Sequence, residues 1–256
     1  NANLAALTMC RAVNLSLEGG NSDGSCFAYV MLGSIAGGFV GDYRTAFRFG
    51  QLGYELAEKR GLKRFQARTC VNFAVRVLPW GRPMSMSRDL VWRAFALANS
   101  AGDLLFATNS GNAMVTVLLA AGAPLSEVQE QAEHALAFAK SARFGIMIDI
   151  IGTQLAFVRT LRGFTPKLAS FHSEQYNELD MQRRFSAAAG LAFPESWYWV
   201  RKLQASFLAS DYRAALDALS RAQGLMWASG SLFQLAEYQF YAALARAAAC
   251  EVAAKD

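Results

Sequence analysis

The segment GDYRTAFRFGQLGYELAEKRG, Gly41 to Gly61, has the apolar and polar alternation of an amphipathic helix and is closed at both ends by glycine. Its opening returns as SDYRAAL within Ser210 to Gly230. Glycines that close helical patterns stand at Gly19, Gly61, Gly102, Gly145, Gly190 and Gly230, at intervals of 42, 41, 43, 45 and 40. Each interval divides into two helices, so the repeating unit is a helical hairpin. The pattern predicts first helices near 24–40, 62–78, 103–121, 146–162, 195–209 and 231–249. Second helices are predicted near 43–60, 87–101, 125–144, 174–189 and 211–229, and Leu4 to Leu17 forms a further helix at the start.

The two DYR segments therefore open second helices in two different repeats. Asp42 and Asp211 are placed to cap them, Tyr43 and Tyr212 to pack back on the preceding helix, and Ala46 and Ala215 to permit a close crossing. They are scaffold, and truncating either tyrosine is expected to cost about 3–5 kcal/mol. The period is longer than the roughly 34 residues of a tetratricopeptide (TPR) repeat. The G-x-Y-x-x-A pattern nevertheless has TPR character. The expected architecture is all-α: an irregular, TPR-like right-handed superhelix of about six hairpins over residues 1–256, least regular between 164 and 191.

Composition agrees with this reading. The chain is 54% hydrophobic and 18% charged, which excludes disorder, and 5 prolines are too few for the turns of a many-stranded sheet. Cys10, Cys26, Cys70 and Cys250 are widely spaced, so they read as reduced thiols of a cytoplasmic protein, and His134 and His172 lack metal-ligand spacing. No metal site and no cofactor are expected. The uncharged run Cys26 to Gly41 carries Gly33, Gly37 and Gly41 at small-xxx-small spacing, yet at 16 residues it is too short to span a bilayer, and no membrane insertion is expected. The chain starts at Asn1 without methionine and reads as an excerpt of a longer protein.

The familiar phosphate-loop, dinucleotide and zinc-protease motifs are missing from the sequence, so catalysis is not expected of it. GNSDGSC, Gly20 to Cys26, reads as an inter-helix turn with Asp23 or Ser25 as the cap. Charge is uneven: Asp42 to Arg93 carries a net +7 and the remainder −2. Arg64, Arg68, Asn72 and Arg76 recur every fourth residue and form a polar stripe on one helix face. Equivalent positions elsewhere are Tyr29; Asn109, Asn112 and Thr116; Asp149 and Gln154; Trp197 and Arg201; and Glu237 and Tyr241. First helices line the concave side of an α-superhelix, so these residues are expected to be partly exposed there and to receive a peptide, a neighbouring signalling domain or a small effector. Nucleic-acid binding through 42–93 is the alternative.

The stretches NLSLEGGNSDGSCFAYVMLGSIAG, GDYRTAFRFGQLGYELAEKRGLKRFQAR, WYWVRKLQASFLASDYRAALDAL and LAEYQFYAALARAA carry a resemblance over Asn14 to Ala248. The chain resembles the TPR-like helical middle region of large bacterial hybrid signalling proteins. In these, a serine/threonine kinase-like domain and an AAA/STAND-type ATPase come before the region, and a GAF domain and a histidine kinase follow. Pro79 to Arg88 and Thr165 to Ser186 depart from the pattern. The resemblance implies a cytoplasmic regulatory role in two-component signal transduction and brings no catalytic residue to this sequence.

Overall fold

The structure is a computed structural model that describes residues 2–174, 176–188 and 190–253. In both GDYR and SDYR the residue before aspartate turns left-handed, Gly41 at φ 77° and Ser210 at φ 58°. The aspartate then accepts a hydrogen bond from the amide three residues on: Thr45 N to Asp42 and Ala214 N to Asp211, each at 3.0 Å. Asp103, after left-handed Gly102, does the same for Phe106 N at 3.2 Å. These bonds satisfy amides that a helix start leaves without intrahelical partners.

Helix ends recur as faithfully. At Gly61, Gly102, Arg143, Gly163 and Ser210 the residue is left-handed, and the following amide bonds to the carbonyl five residues back. That closure is the Schellman arrangement. It corrects the glycine count: Gly145 opens a helix, and the left-handed position there belongs to Arg143 at φ 55°. Gly19 likewise lies inside the first helix, with Gly20 taking the left-handed turn.

Among the described residues the chain is all-α, with twelve α-helices and, outside them, an isolated β-bridge between Ser173 and Tyr176. The helices are α1 Ala2–Gly19, α2 Ser25–Ile35, α3 Tyr43–Lys59, α4 Lys63–Asn72, α5 Ser87–Ser100, α6 Leu104–Ala120, α7 Leu125–Ser141, α8 Gly145–Leu161, α9 Glu178–Ala187, α10 Ala192–Leu208, α11 Tyr212–Gln223 and α12 Gln234–Ala253. π-helical turns prolong α2 through Ala36–Val40 and α4 through Phe73–Val77. Two predicted helices are shorter than expected. α9 replaces 174–189, of which 175 and 189 lie outside the described residues, because 164–177 takes an irregular path; α11 stops at Gln223 before a 3-10 turn at Met226–Ala228. The 20–26 turn also differs, since the Ser25 hydroxyl accepts from Ser22 N and meets Ser16 Oγ, and no side chain caps α2.

The chain forms two compact units, Asn1–Gly122 and Ala123–Asp256. In the first, α2 crosses α3 through small residues. A Cβ on Gly53 would stand 2.3 Å from the Cys26 carbonyl oxygen, and one on Gly33 would stand 2.5 Å from the Ala46 oxygen. The Cys26–Gly41 run is thus a helix in backbone contact with its neighbour, and no described helix is long and apolar enough to cross a membrane. Val30, Phe73, Val77 and Leu78 close the core beside this crossing. In the second unit α7 packs on α8, α8 on α10, and α10 on both α11 and α12. Its core gathers Ala139, Met147, Ile150, Ile151 and Trp197.

Tyr212 packs back on Phe207 of the preceding helix as expected, while Tyr43 stacks forward on Trp80, beyond α4. Tyr43 remains 44% exposed, however, so its truncation costs less than the sequence implies. The larger penalty belongs to the crossing. Gly53→Ala is expected to destabilise the first unit by about 1–3 kcal/mol through overpacking against backbone. Gly145→Ala, whose Cβ meets nothing within 4 Å, should leave the denaturant midpoint unchanged or slightly raised. Equal midpoints for the two variants would contradict the close crossing.

Candidate functional site

Helical spacing brings the predicted stripe of the second unit together on three helices. Gln154 and Phe157 come from α8, Trp197, Arg201 and Gln204 from α10, and Gln234, Glu237 and Tyr241 from α12. Arg201 lies at the centre and is only 1% exposed. Its Nη1 donates to Glu237 Oε1 at 2.6 Å and to Gln204 Oε1 at 2.7 Å, and its Nη2 donates to Gln154 Oε1 at 3.1 Å. Gln204 Nε2 also donates to Glu237 Oε1, at 3.2 Å. The guanidinium lies over the Phe157 and Trp197 rings, at 5.4 and 5.8 Å from their centroids. Four buried polar atoms beside or within this cluster lack a protein partner: Arg201 Nε, Trp197 Nε1, Gln234 Nε2 and Glu237 Oε2. Tyr241 is half-buried at the edge, and burial, reinforced by the Glu237 carboxylate and opposed by Arg201, pushes its hydroxyl pKa up.

These positions were expected to face solvent, and most do not. Trp197, Arg201 and Gln154 are enclosed between helices; Arg201 donates to Gln154, and the Trp197 ring lies against the guanidinium. A charged side chain so deeply placed is tolerated because a carboxylate and two amides surround it. Asp149, also buried, takes both guanidinium nitrogens of Arg184, at 3.0 and 2.9 Å. Arg184 is 55% exposed and so carries this pair toward the surface.

The first unit keeps its stripe nearer to solvent. Arg68, Asn72 and Arg76 are half-buried and linked along α4: Asn72 Nδ2 donates to the Arg68 carbonyl at 2.8 Å, and Arg76 Nε to Asn72 Oδ1 at 3.0 Å. Arg68 pairs with Asp103 at 3.0 Å and lies between the Phe65 and Phe106 rings. Arg64 is exposed over Phe65, and Asn109 is half-buried. Tyr29, Asn112 and Thr116 are buried, contrary to the exposure expected of them. Tyr29 donates to Asn21 Oδ1 at 2.9 Å, and Thr116 Oγ1 donates to the Asn112 carbonyl at 3.4 Å within α6. Apolar packing on more than one side of α2 and α6 turns these helices' polar positions inward.

A cleft of about 270 Å³ in the second unit includes a side chain of the predicted stripe in its lining. Leu136 and Lys140 of α7 and Ile148, Asp149, Gly152, Leu155 and Ala156 of α8 form one wall; Tyr176, Asn177, Met181 and Arg184 form the other. The irregular segment is anchored there by Thr153, whose hydroxyl meets Tyr176 Oη at 2.9 Å. Further anchors are Lys202, which donates to the Ala169 carbonyl and to Glu178, and Glu178 itself, which accepts from Tyr198 Oη and Phe171 N. Burial pushes the Tyr176 and Tyr198 hydroxyls well above their ordinary range. The sequence stripe missed Tyr176, which lies outside the helices, and Met181 and Arg184, which lie on α9 and not on a first helix, whereas Gln204, one turn from Arg201, was within its reach.

Among the described residues no group of three or more His, Cys, Asp or Glu side chains is placed to hold a metal ion. Burial raises the Cys70 thiol pKa to about 12, so it is a poor nucleophile at neutral pH. No protein-family model matches the chain. A search of curated proteins finds no match either.

Replacing Arg201 with methionine strands the Glu237 carboxylate in the interior. Arg201→Met is therefore expected to lower stability by about 3–5 kcal/mol, where a solvent-facing stripe would predict almost none. Exposed Arg64→Met should change it by less than about 0.5 kcal/mol. Urea denaturation of the two variants decides between an interior and a surface role.

Proposed function

We propose that the chain is a non-catalytic module, a TPR-like right-handed superhelix of about six hairpins, that regulates an attached signalling kinase. It does so by binding a peptide, a neighbouring signalling domain or a small effector. The observation that carries this reading is the cleft between α7–α8 and the 173–184 segment. Its floor is apolar at Leu136, Ile148, Leu155 and Met181, and its lining also holds Arg159, the exposed Lys140 and Asp180, and the Asp149–Arg184 pair. An apolar hollow among charged groups suits an anchoring side chain flanked by an acid. The anchors that hold the irregular segment lie on α8 and α10, so occupation of the cleft bears on the same helices that enclose Arg201. The kinase connection rests on the resemblance, which also makes the setting cytoplasmic and the system two-component.

A second reading is favoured by one observation. Arg44, Arg48, Arg60, Lys63, Arg64 and Arg82 of the first unit are exposed, with no carboxylate partner among the described residues. Such a surface also suits the phosphates of a nucleic acid.

Titration calorimetry against the kinase-like, ATPase and GAF domains of a parent protein separates the readings. Met181→Trp, which fills the cleft, and Lys140→Glu should each weaken binding of one of these domains about tenfold or more while leaving the unfolding midpoint in place. Unchanged affinity in both variants overturns the cleft reading. Affinity for duplex DNA that falls with salt at a slope of about 0.9 per phosphate contact would promote the second reading instead.

A further inference from the structure

We propose that the end of the first unit formed by the turns at 36–42 and 78–86 is a docking surface for an acidic protein segment bearing apolar anchor side chains. The two turns are joined to each other. Tyr43 stacks on Trp80 with ring centroids 5.6 Å apart, and the Arg82 guanidinium lies 4.8 Å from the centroid of Phe47. Ser87 Oγ donates to the Ala74 carbonyl at 2.7 Å and fixes the start of α5 at the same end. Around this frame Phe39 is 59%, Val40 75% and Met86 53% exposed. Single exposed apolar residues are ordinary, but a group on two adjoining turns is the mark of a contact surface.

Charge narrows the occupant. Arg44 and Arg48 lie one turn apart on the exposed side of α3, and neither has a carboxylate partner among the described residues. Arg82 donates to the adjacent Gly81 carbonyl at 3.0 Å and likewise meets no acid. Elsewhere in the unit Lys59, Arg68 and Arg93 are paired with Glu55, Asp103 and Glu58. Asp42 hydrogen-bonds the amide of Thr45 and meets Arg44 only through space, so no carboxylate hydrogen bond holds these arginines. A partner must bring carboxylates or other anions together with apolar groups.

A polynucleotide would supply the anions, but its bases need open aromatic faces. Tyr43 and Trp80 place theirs against each other, Val40 and Met86 have none, and Phe39 alone among these residues offers an exposed ring, too few to stack successive bases. Acidic residues interleaved with leucine or phenylalanine satisfy both parts of the surface. The stacked, capped frame presents the anchors without further ordering. The inference is independent of the cleft in the second unit.

The test uses the whole chain and a fluorescein-labelled peptide of repeating Glu-Glu-Leu-Phe, read by anisotropy. Binding is expected, and the double variants Arg44→Glu/Arg82→Glu and Phe39→Ser/Val40→Ser should each weaken it at least about tenfold. Arg213→Glu, on the exposed face of α11 in the other unit, should leave it unchanged. Absence of peptide binding, or equal binding by both double variants and the parent, overturns the proposal. So does tighter binding, through the same residues, of a duplex DNA or of phosphatidylserine-containing vesicles.

Discussion

A guanidinium placed out of reach of water must have its charge and its donors answered by the protein. Arg201 imposes that requirement on the second unit, and α8, α10 and α12 answer it with Gln154, Gln204 and Glu237 under the rings of Phe157 and Trp197. The arrangement is directional where apolar packing is not, so it fixes which faces of the three helices meet. Atoms left without partners, Arg201 Nε and Glu237 Oε2 among them, show how closely the polar and apolar demands compete there. Two of these helices, α8 and α10, also support the irregular 164–177 path through Thr153, Tyr198 and Lys202. A binding event at the cleft would therefore act on a part of the molecule whose internal pairings are specific.

The first unit is organised by the opposite means. Its α2–α3 crossing depends on the lack of side chains at Gly33 and Gly53, where backbone meets backbone. Several of its arginines stay outside, with Arg44, Arg48 and Arg82 unpaired by any described carboxylate. One unit thus buries a cation at its centre, and the other leaves several of its cations at the surface.

The helices were legible because apolar spacing and aspartate caps are local. Asp42 and Asp211 cap as their sequences imply, and Asp103 adds a third example that also pairs with Arg68. Glycine was a poorer guide: the left-handed turn it favours is taken by Arg143 and Ser210 where the five-residue closure requires it. Gln154, Trp197, Arg201 and Glu237 of the stripe meet in space while Asp149 pairs instead with Arg184, and helical periodicity cannot tell a polar face toward water from one toward a neighbouring helix. Burial of Arg201 depends on Glu237, 36 residues away, and burial of Asp149 on Arg184, 35 residues away. Arg184 itself sits in the segment with the least periodicity, so its pairing left no local trace.

The Arg201–Glu237 pair holds the second unit together from within. A double-mutant cycle on Arg201→Met and Glu237→Leu, measured by denaturant unfolding, tests it most directly. The account predicts that the two changes together cost far less than their sum, with a coupling of about 2–3 kcal/mol, because neither side chain then leaves a stranded charge. Additivity within about 0.5 kcal/mol would contradict it and return Arg201 to the solvent-facing stripe.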